Sequence, residues 1–323
     1  MVVLEIFTVM SNQKSEYSKV SLKNSPYLVC NEQKQQDTLK LLANQASLGL
    51  KENHVHVGFS VWFNFDIICT TRPNYAAIFD CDPGVHGFIY PIFQSTIICA
   101  TSREEFCSQF LKNLMKQDVF VAYEFLLADD FQLLQKRAYG FLANEDNFNY
   151  LKEMITQERV FFGRLDLTNL EQVSTIREWI SKNNLILDTL YLSNIPEWII
   201  QGNKHIWDTD IKGSISSLLQ GSTQLIDAFY PTTKKDSSGP PQRLTQGTIL
   251  PDYQVKVPPK LQRQDTNQGS QSRYKRQLFD ASMQEYTIPN KRTVYLGEGV
   301  KEISKIESAS NLPPEIVVPQ YSF

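Results

Sequence analysis

Three short stretches of this sequence place side-chain chemistry where apolar, β-branched runs end. Gly58-Phe59-Ser60 follows Val55-His56-Val57. A glycine there lets a ligand approach the backbone, and the N–H groups of a following helix would face it. A plain structural turn is the other reading of Gly58 and Ser60. Ala76-Ala77-Ile78-Phe79 runs into Asp80 and, two residues on, Asp82. A carboxylate at such a strand end can accept two hydrogen bonds from the vicinal hydroxyls of a ribose, or it can cap the next helix. Val160-Phe161-Phe162-Gly163-Arg164-Leu165 leads to Asp166, which could accept from an adenine amino group or cap a helix starting near Asn169. No Ser/His/Asp or Cys/His arrangement for nucleophilic catalysis accompanies them, which removes the most obvious hydrolase readings.

The elements that must hold these residues follow from hydrophobic periodicity. Leu39, Leu41, Leu42 and Leu48 give 33–49 an amphipathic helix, and 55–61 reads as a strand running into a turn. A short apolar helix from Phe65 to Thr71 is closed by Arg72-Pro73, because proline disfavours helix at the preceding residue. After the strand ending at Asp80, the stretch Gly84 to Ala100 is apolar all round with Pro91 inside it, and predicts a kinked, buried helix. Ser102-Arg103-Glu104-Glu105 is a capping box for a helix to about Lys116. Further helices are expected over about 122–139, from Asn144 through Ile155, and over 169–182. Strands are expected at 160–167, 185–192 and 225–230. Strands separated by long helical stretches require crossovers and a mostly parallel sheet. The fold class is therefore α/β, a Rossmann-like doubly wound sheet with helices on both faces, followed by a polar C-terminal tail. The expected segments are an N-terminal extension at 1–32, the domain at 33–230, a Pro/Gln-rich basic linker at 231–276 and a tail at 277–323. The linker holds nine Lys and Arg against three Asp and Glu, a balance of +6, whereas residues 1–230 carry −7. Its composition predicts disorder, since it cannot bury enough apolar surface to offset chain entropy. In the tail, Arg292-Thr293-Val294-Tyr295-Leu296 could dock back as a strand.

The strand of 185–192 ends in Ser193-Asn194-Ile195-Pro196-Glu197-Trp198. A glycine turn, two strands ending in Asp and a fourth ending in Asn-x-Pro is an order of landmarks similar to that of class I S-adenosylmethionine-dependent methyltransferases. With Arg72-Pro73, Asp80 and Ser193-Asn194, the chain resembles over about 33–230 an uncharacterised family of bacterial methyltransferase-like proteins. That resemblance implies S-adenosyl-L-methionine as cofactor, bound by Gly58, Ser60, Asp80 and Asp166. It places Asn194 at the methyl acceptor, in a catalytic role, and Trp198 against the substrate. The Asn-Ile-Pro loop is similar to that of enzymes that methylate amino groups, where the Asn accepts from the target amine. Here the aromatic that follows such loops is Glu197, read either as a base for an oxygen acceptor or as a surface residue of a helix start. The usual Gly-x-Gly is Gly58-Phe59-Ser60, followed by bulky Val61, Trp62 and Phe63. The expected function is a methyltransferase of unknown acceptor, whether small molecule, protein or nucleic acid. The alternative is a catalytically inactive, methyltransferase-like interaction protein, with a secreted bacterial effector as one form of it.

Composition bounds the rest. Hydrophobic residues make up 41 % and charged residues 21 % of the chain, as in a globular protein with a sizeable core. A net charge of −3 gives no reason to expect non-specific attraction to nucleic acid or anionic membranes. No apolar run approaches the ~20 residues of a membrane span. The apolar start, Met1 to Met10, contains Glu5 and has no basic lead, unlike a signal peptide. Five cysteines without a C-x-x-C pair read as reduced core thiols of a cytoplasmic protein, or of one delivered into a host cell. His54 and His56 share a strand face but lack an evident third ligand, so no metal is expected. The basic linker offers a surface for an acidic protein partner.

Overall fold

The computed structural model describes residues 32–45, 51–82, 85–115, 131–229, 240–248, 250–251 and 253. The start of the helix expected over 122–139 and the strand expected at Arg292–Leu296 lie outside the described residues. The described chain runs α1 (Gln35–Gln45), β1 (Lys51–Phe59), α2 (Trp62–Thr71), β2 (Pro73–Asp80), a π-helical turn (Val85–Ile89), α3 (Tyr90–Cys99) and α4 (Arg103–Met115). It continues with α5 (Glu145–Thr156), β3 (Val160–Arg164), α6 (Leu170–Lys182), β4 (Ile186–Ser193) and α7 (Ile195–Ile206). A second π-helical turn (Trp207–Ile211), α8 (Lys212–Ser216), β5 (Gln224–Ala228) and β6 (Gln242–Gln246) complete it.

The six strands form one sheet in the order β3-β2-β1-β4-β5-β6. The first five are parallel, and β6 pairs antiparallel with β5. Strand order reverses between β1 and β4, which are direct neighbours. Alternation divides the strand residues between the two faces of the sheet. Val55, Val57, Phe59, Ala77, Phe79, Leu190 and Leu192 meet α6, α7 and α8. Ala76, Ile78 and Val160 meet α2 to α5 on the other face. Register slips between β1 and β4 at Asp188, because Val55 faces Leu187 while His56 faces Thr189. This extra residue is a bulge, and it lets both Leu187 and Leu190 enter the same core. The protein is thus an α/β protein with a mostly parallel sheet covered on both faces.

Helix α2 is buried along its whole length, polar positions included, and starts at Trp62 rather than Phe65. It stops as expected at Arg72, which adopts a left-handed φ of 52° and donates its N–H to the Ile68 carbonyl. The expected buried helix at 84–100 is corrected in part. The π-helical turn precedes α3, Pro91 sits in the first turn where no helical N–H is required, and Ile98 is 43 % exposed. The capping box also shifts by one residue. Ser102 accepts from Glu105 N–H, but the Glu105 carboxylate reaches Thr101 N–H at 2.7 Å. Asn144 and Asn169 both cap their helices. The helix expected to run to 139 ends by 135, and the chain turns so that Arg137 meets Asp66.

The folded unit reaches past both expected boundaries. Glu32, assigned to the extension, is buried, and β6 lies inside the stretch expected to be a disordered linker. What holds β6 is pairing rather than apolar content. Arg243 on β6 faces Asp227 on β5 and donates to both its oxygens at 2.8 and 2.6 Å. Tyr253 donates to the same carboxylate at 2.5 Å, and Leu250 and Tyr253 join the core. Among the described residues, no helix is long and apolar enough to cross a membrane, and Cys69, Cys81, Cys99 and Cys107 are free thiols.

Candidate functional site

Gly58, Ser60, Asp80, Asp166 and Asn194 lie at or just beyond the carboxyl ends of parallel strands, where open α/β sheets bind ligands, and Trp198 lies in the first turn of α7. At the β1–α2 turn, Ser60 takes a left-handed φ of 73° and donates its N–H to the Phe79 carbonyl of β2. The space beside Gly58 is occupied by the protein itself. A Cβ there would stand 1.7 Å from Asn64 Oδ1 and 2.7 Å from His56 Nε2. The glycine therefore admits the Asn64 side chain, where the sequence reading expected a ligand.

Asn64 then fixes the turn. Its Nδ2 donates to the carbonyls of Phe59 at 3.0 Å and Ser60 at 2.8 Å, which leaves Oδ1 facing His56 Nε2 at 3.0 Å. An amide oxygen can only accept, so Nε2 carries the imidazole proton and Nδ1 accepts from the Thr189 hydroxyl at 2.7 Å. Burial pushes the His56 pKa down to about 4, and the ring is neutral. Trp62 points into the aromatic core with Phe65, Phe93 and Phe141, while Phe63 packs edge-on against Tyr191.

At the end of β2, Asp80 Oδ1 accepts from Asp82 N–H at 2.8 Å. Burial, with Asp82 adding like charge, pushes the Asp80 carboxyl up to about 7, although the side chain is only half-buried. Tyr90 borders the same corner, its hydroxyl 3.4 Å from the Ser60 carbonyl. Across the sheet edge, Arg164 pairs in register with Asp80 and donates to the Cys81 carbonyl at 3.3 Å. Asp166 turns its own loop. Its Oδ1 accepts from Thr168 N–H at 3.0 Å and from the Thr168 hydroxyl at 2.6 Å, while Asn169 caps α6. Ser60, Asp80 and Asp166 thus share one edge, on neighbouring strands.

Asn194 follows β4 and occupies the cap position of α7, yet its side chain makes no capping bond. Ser193 before it takes a left-handed φ of 55°. Trp198 is half-buried, and Glu197, expected at a surface or as a base, is buried and accepts from Gln201 at 2.8 Å. Beside Asn194 stands a group that sequence reasoning missed. The Glu32 carboxylate accepts from Tyr191 at 3.0 Å, from Gln242 at 2.6 Å and from Ser193. No pattern around Glu32 announces these partners, which are 159 to 210 residues away. The two paired histidines part company. His54 Nδ1 meets Asp188 at 3.1 Å, while His56 turns to Thr189 and Asn64. Among the described residues, no three His, Cys, Asp or Glu side chains gather as metal ligands.

A family described as "Domain of unknown function (DUF7790)" matches residues 117–287, just over half of the chain. The match includes Asp166, Asn194 and Trp198 and leaves out Gly58, Ser60 and Asp80. No curated protein matches the chain.

Proposed function

The chain belongs to the DUF7790 family, whose description assigns no activity, and we propose that it is a Rossmann-like, S-adenosylmethionine-dependent methyltransferase. The observation that carries this reading is Asp80. It is a carboxylate at the end of β2, raised to about 7, with one oxygen engaged by Asp82, on the sheet edge near the reversal of strand order. Perturbed carboxylates in such places favour a binding role, and an ionised Asp80 would accept from both ribose hydroxyls. Ser60 and Asp166 would border the cofactor. Asn194, its side chain unused as a cap, would face the acceptor with Trp198 beside it. Methyl transfer needs in-line positioning rather than a nucleophilic side chain.

A second reading has its own support. Asn64 fills the approach to Gly58, as expected of a protein that keeps the fold and serves as an interaction module. Action in a cytosol or in a host cell, and an acidic partner for the basic stretch 231–276, are further proposals of either reading. Isothermal titration of the full chain with S-adenosylmethionine and S-adenosylhomocysteine separates the two. Saturable binding that Asp80→Ala abolishes is the expected result. Folded protein that binds neither would sink the methyltransferase reading and leave the interaction module.

A further inference from the structure

The Glu32 cluster is not explained by a cofactor at Asp80. Three of the donors to its carboxylate, Tyr191, Ser193 and Gln242, are neutral side chains, each more than nine-tenths buried. Gln242 Nε2 is committed to Glu32, which fixes the amide and leaves its buried Oε1 without a hydrogen-bond partner among the described residues. An orphaned buried acceptor of this kind is uncommon. Ser193 holds a left-handed backbone, a strained conformation for a non-glycine residue. Strain of that sort collects where side chains must be aimed. Asn194 Oδ1 lies 3.5 Å from Ser193 Oγ, so the cluster adjoins the residue assigned to the acceptor. Glu32 reaches it from a segment joined to the sheet edge by two backbone hydrogen bonds, Gln33 N–H to Pro240 O and Gln242 N–H to Gln33 O.

We propose that Tyr191, Ser193 and Gln242 form a carboxylate-recognition site at the end of β4, which Glu32 fills and which a small carboxylic acid takes in its place. Resting on the methyltransferase reading, that acid is the methyl acceptor. One carboxylate oxygen attacks the sulfonium methyl carbon, and the O–C bond forms as the S–C bond breaks. The anion and the sulfonium cation become a neutral methyl ester and S-adenosylhomocysteine. No proton changes hands, so the site needs no general base.

The test begins without cofactor. Full-length Glu32→Ala should melt lower than wild type, and propionate should raise its midpoint saturably by a few degrees. Propionamide should not, and neither should propionate once Ser193→Ala is added. An equal response to acid and amide, or no response, overturns the site. Should Glu32→Ala not fold, hydrogen exchange at Gln33 in the wild type decides the matter. Propionate should speed it, and unchanged exchange counts against displacement of Glu32. Adding S-adenosylmethionine to Glu32→Ala with propionate should then yield methyl propionate. Cofactor bound with no ester formed overturns the acceptor assignment. Absence of cofactor binding overturns the methyltransferase reading alone, and the carboxylate site still stands or falls on the melting data.

Discussion

At the scale of single residues, His56 and Asp80 act on stability with opposite sign. His56 titrates near 4 in the fold and near ~6.5 in an unfolded chain. Between those values the unfolded chain binds the proton first, so the His56 contribution is complete above ~6.5 and is lost as pH falls toward 4. About 2–3 kcal/mol is at stake over that window. Urea titrations from pH 7 to 4.5 should show this fall in the wild type and a flatter profile in His56→Gln; parallel profiles would remove His56 as the cause. Asp80 runs the other way. Its fold value of about 7 stands above the ~3.9 of a free carboxyl, so stability declines as pH rises from about 4 through 7. Allowing for its partial exposure, Asp80→Asn should stabilise the protein by about 1–2 kcal/mol at pH 8 and by almost nothing at pH 4. The same ionisation governs binding. Affinity for a ribose-bearing ligand should fall as pH drops below 7, and titrations of Asp80→Asn should be weak at every pH.

At the scale of elements, the β1–α2 turn is a closed unit of Gly58, Asn64, His56 and Thr189. Gly58→Ala drives a Cβ into Asn64 Oδ1 and should cost about 2–4 kcal/mol, because the core is packed and the displaced bonds are buried. Asn64→Ala alone strands His56 Nε2–H and takes a donor from the carbonyls of Phe59 and Ser60. Placing Gly58→Ala in that background should cost at least ~1 kcal/mol less than in the wild type. Additive costs in a double-mutant cycle would show that the glycine answers to something other than Asn64. The turn also marks how far the sequence could be read. Runs such as Ala76–Phe79 and Leu187–Leu192 announce strands because buried parallel strands are apolar on both faces, and Asn144 announces α5 by its capping chemistry. Asp80 and Asn194 were legible as strand-end residues. What Gly58 makes room for was not, because Asn64 meets it only once α2 folds back on β1. The polar Gln242-Arg243-Leu244-Thr245-Gln246 hides β6, since an edge strand needs no apolar alternation when its charge is matched across the pair by Asp227.

At the scale of the whole molecule, the unit that folds should be longer than the apolar pattern of 33–230 indicates. A chain ended at 230 would strip Arg243 and Tyr253 from Asp227, which is 1 % exposed, and would take Gln242 from Glu32. Removing the partner of one buried charge costs about 3–5 kcal/mol, and here two carboxylates lose donors at once. Leu250 and Tyr253 would also leave the core they share with Trp207 and Phe229. These losses are comparable with the ~5–15 kcal/mol that holds a domain together. The shortened chain should therefore lose its near-ultraviolet circular dichroism and its cooperative urea transition, while a chain carried through 253 keeps both. The comparison also bears on the paired ends of the fold. Gln33 and Gln242 exchange backbone contacts across the sheet edge, so β6 positions Glu32 as well as Asp227. A chain ended at 230 that unfolds cooperatively, within ~1 kcal/mol of the full protein, would make β6 an ornament of the sheet and leave Glu32 to find its donors without it.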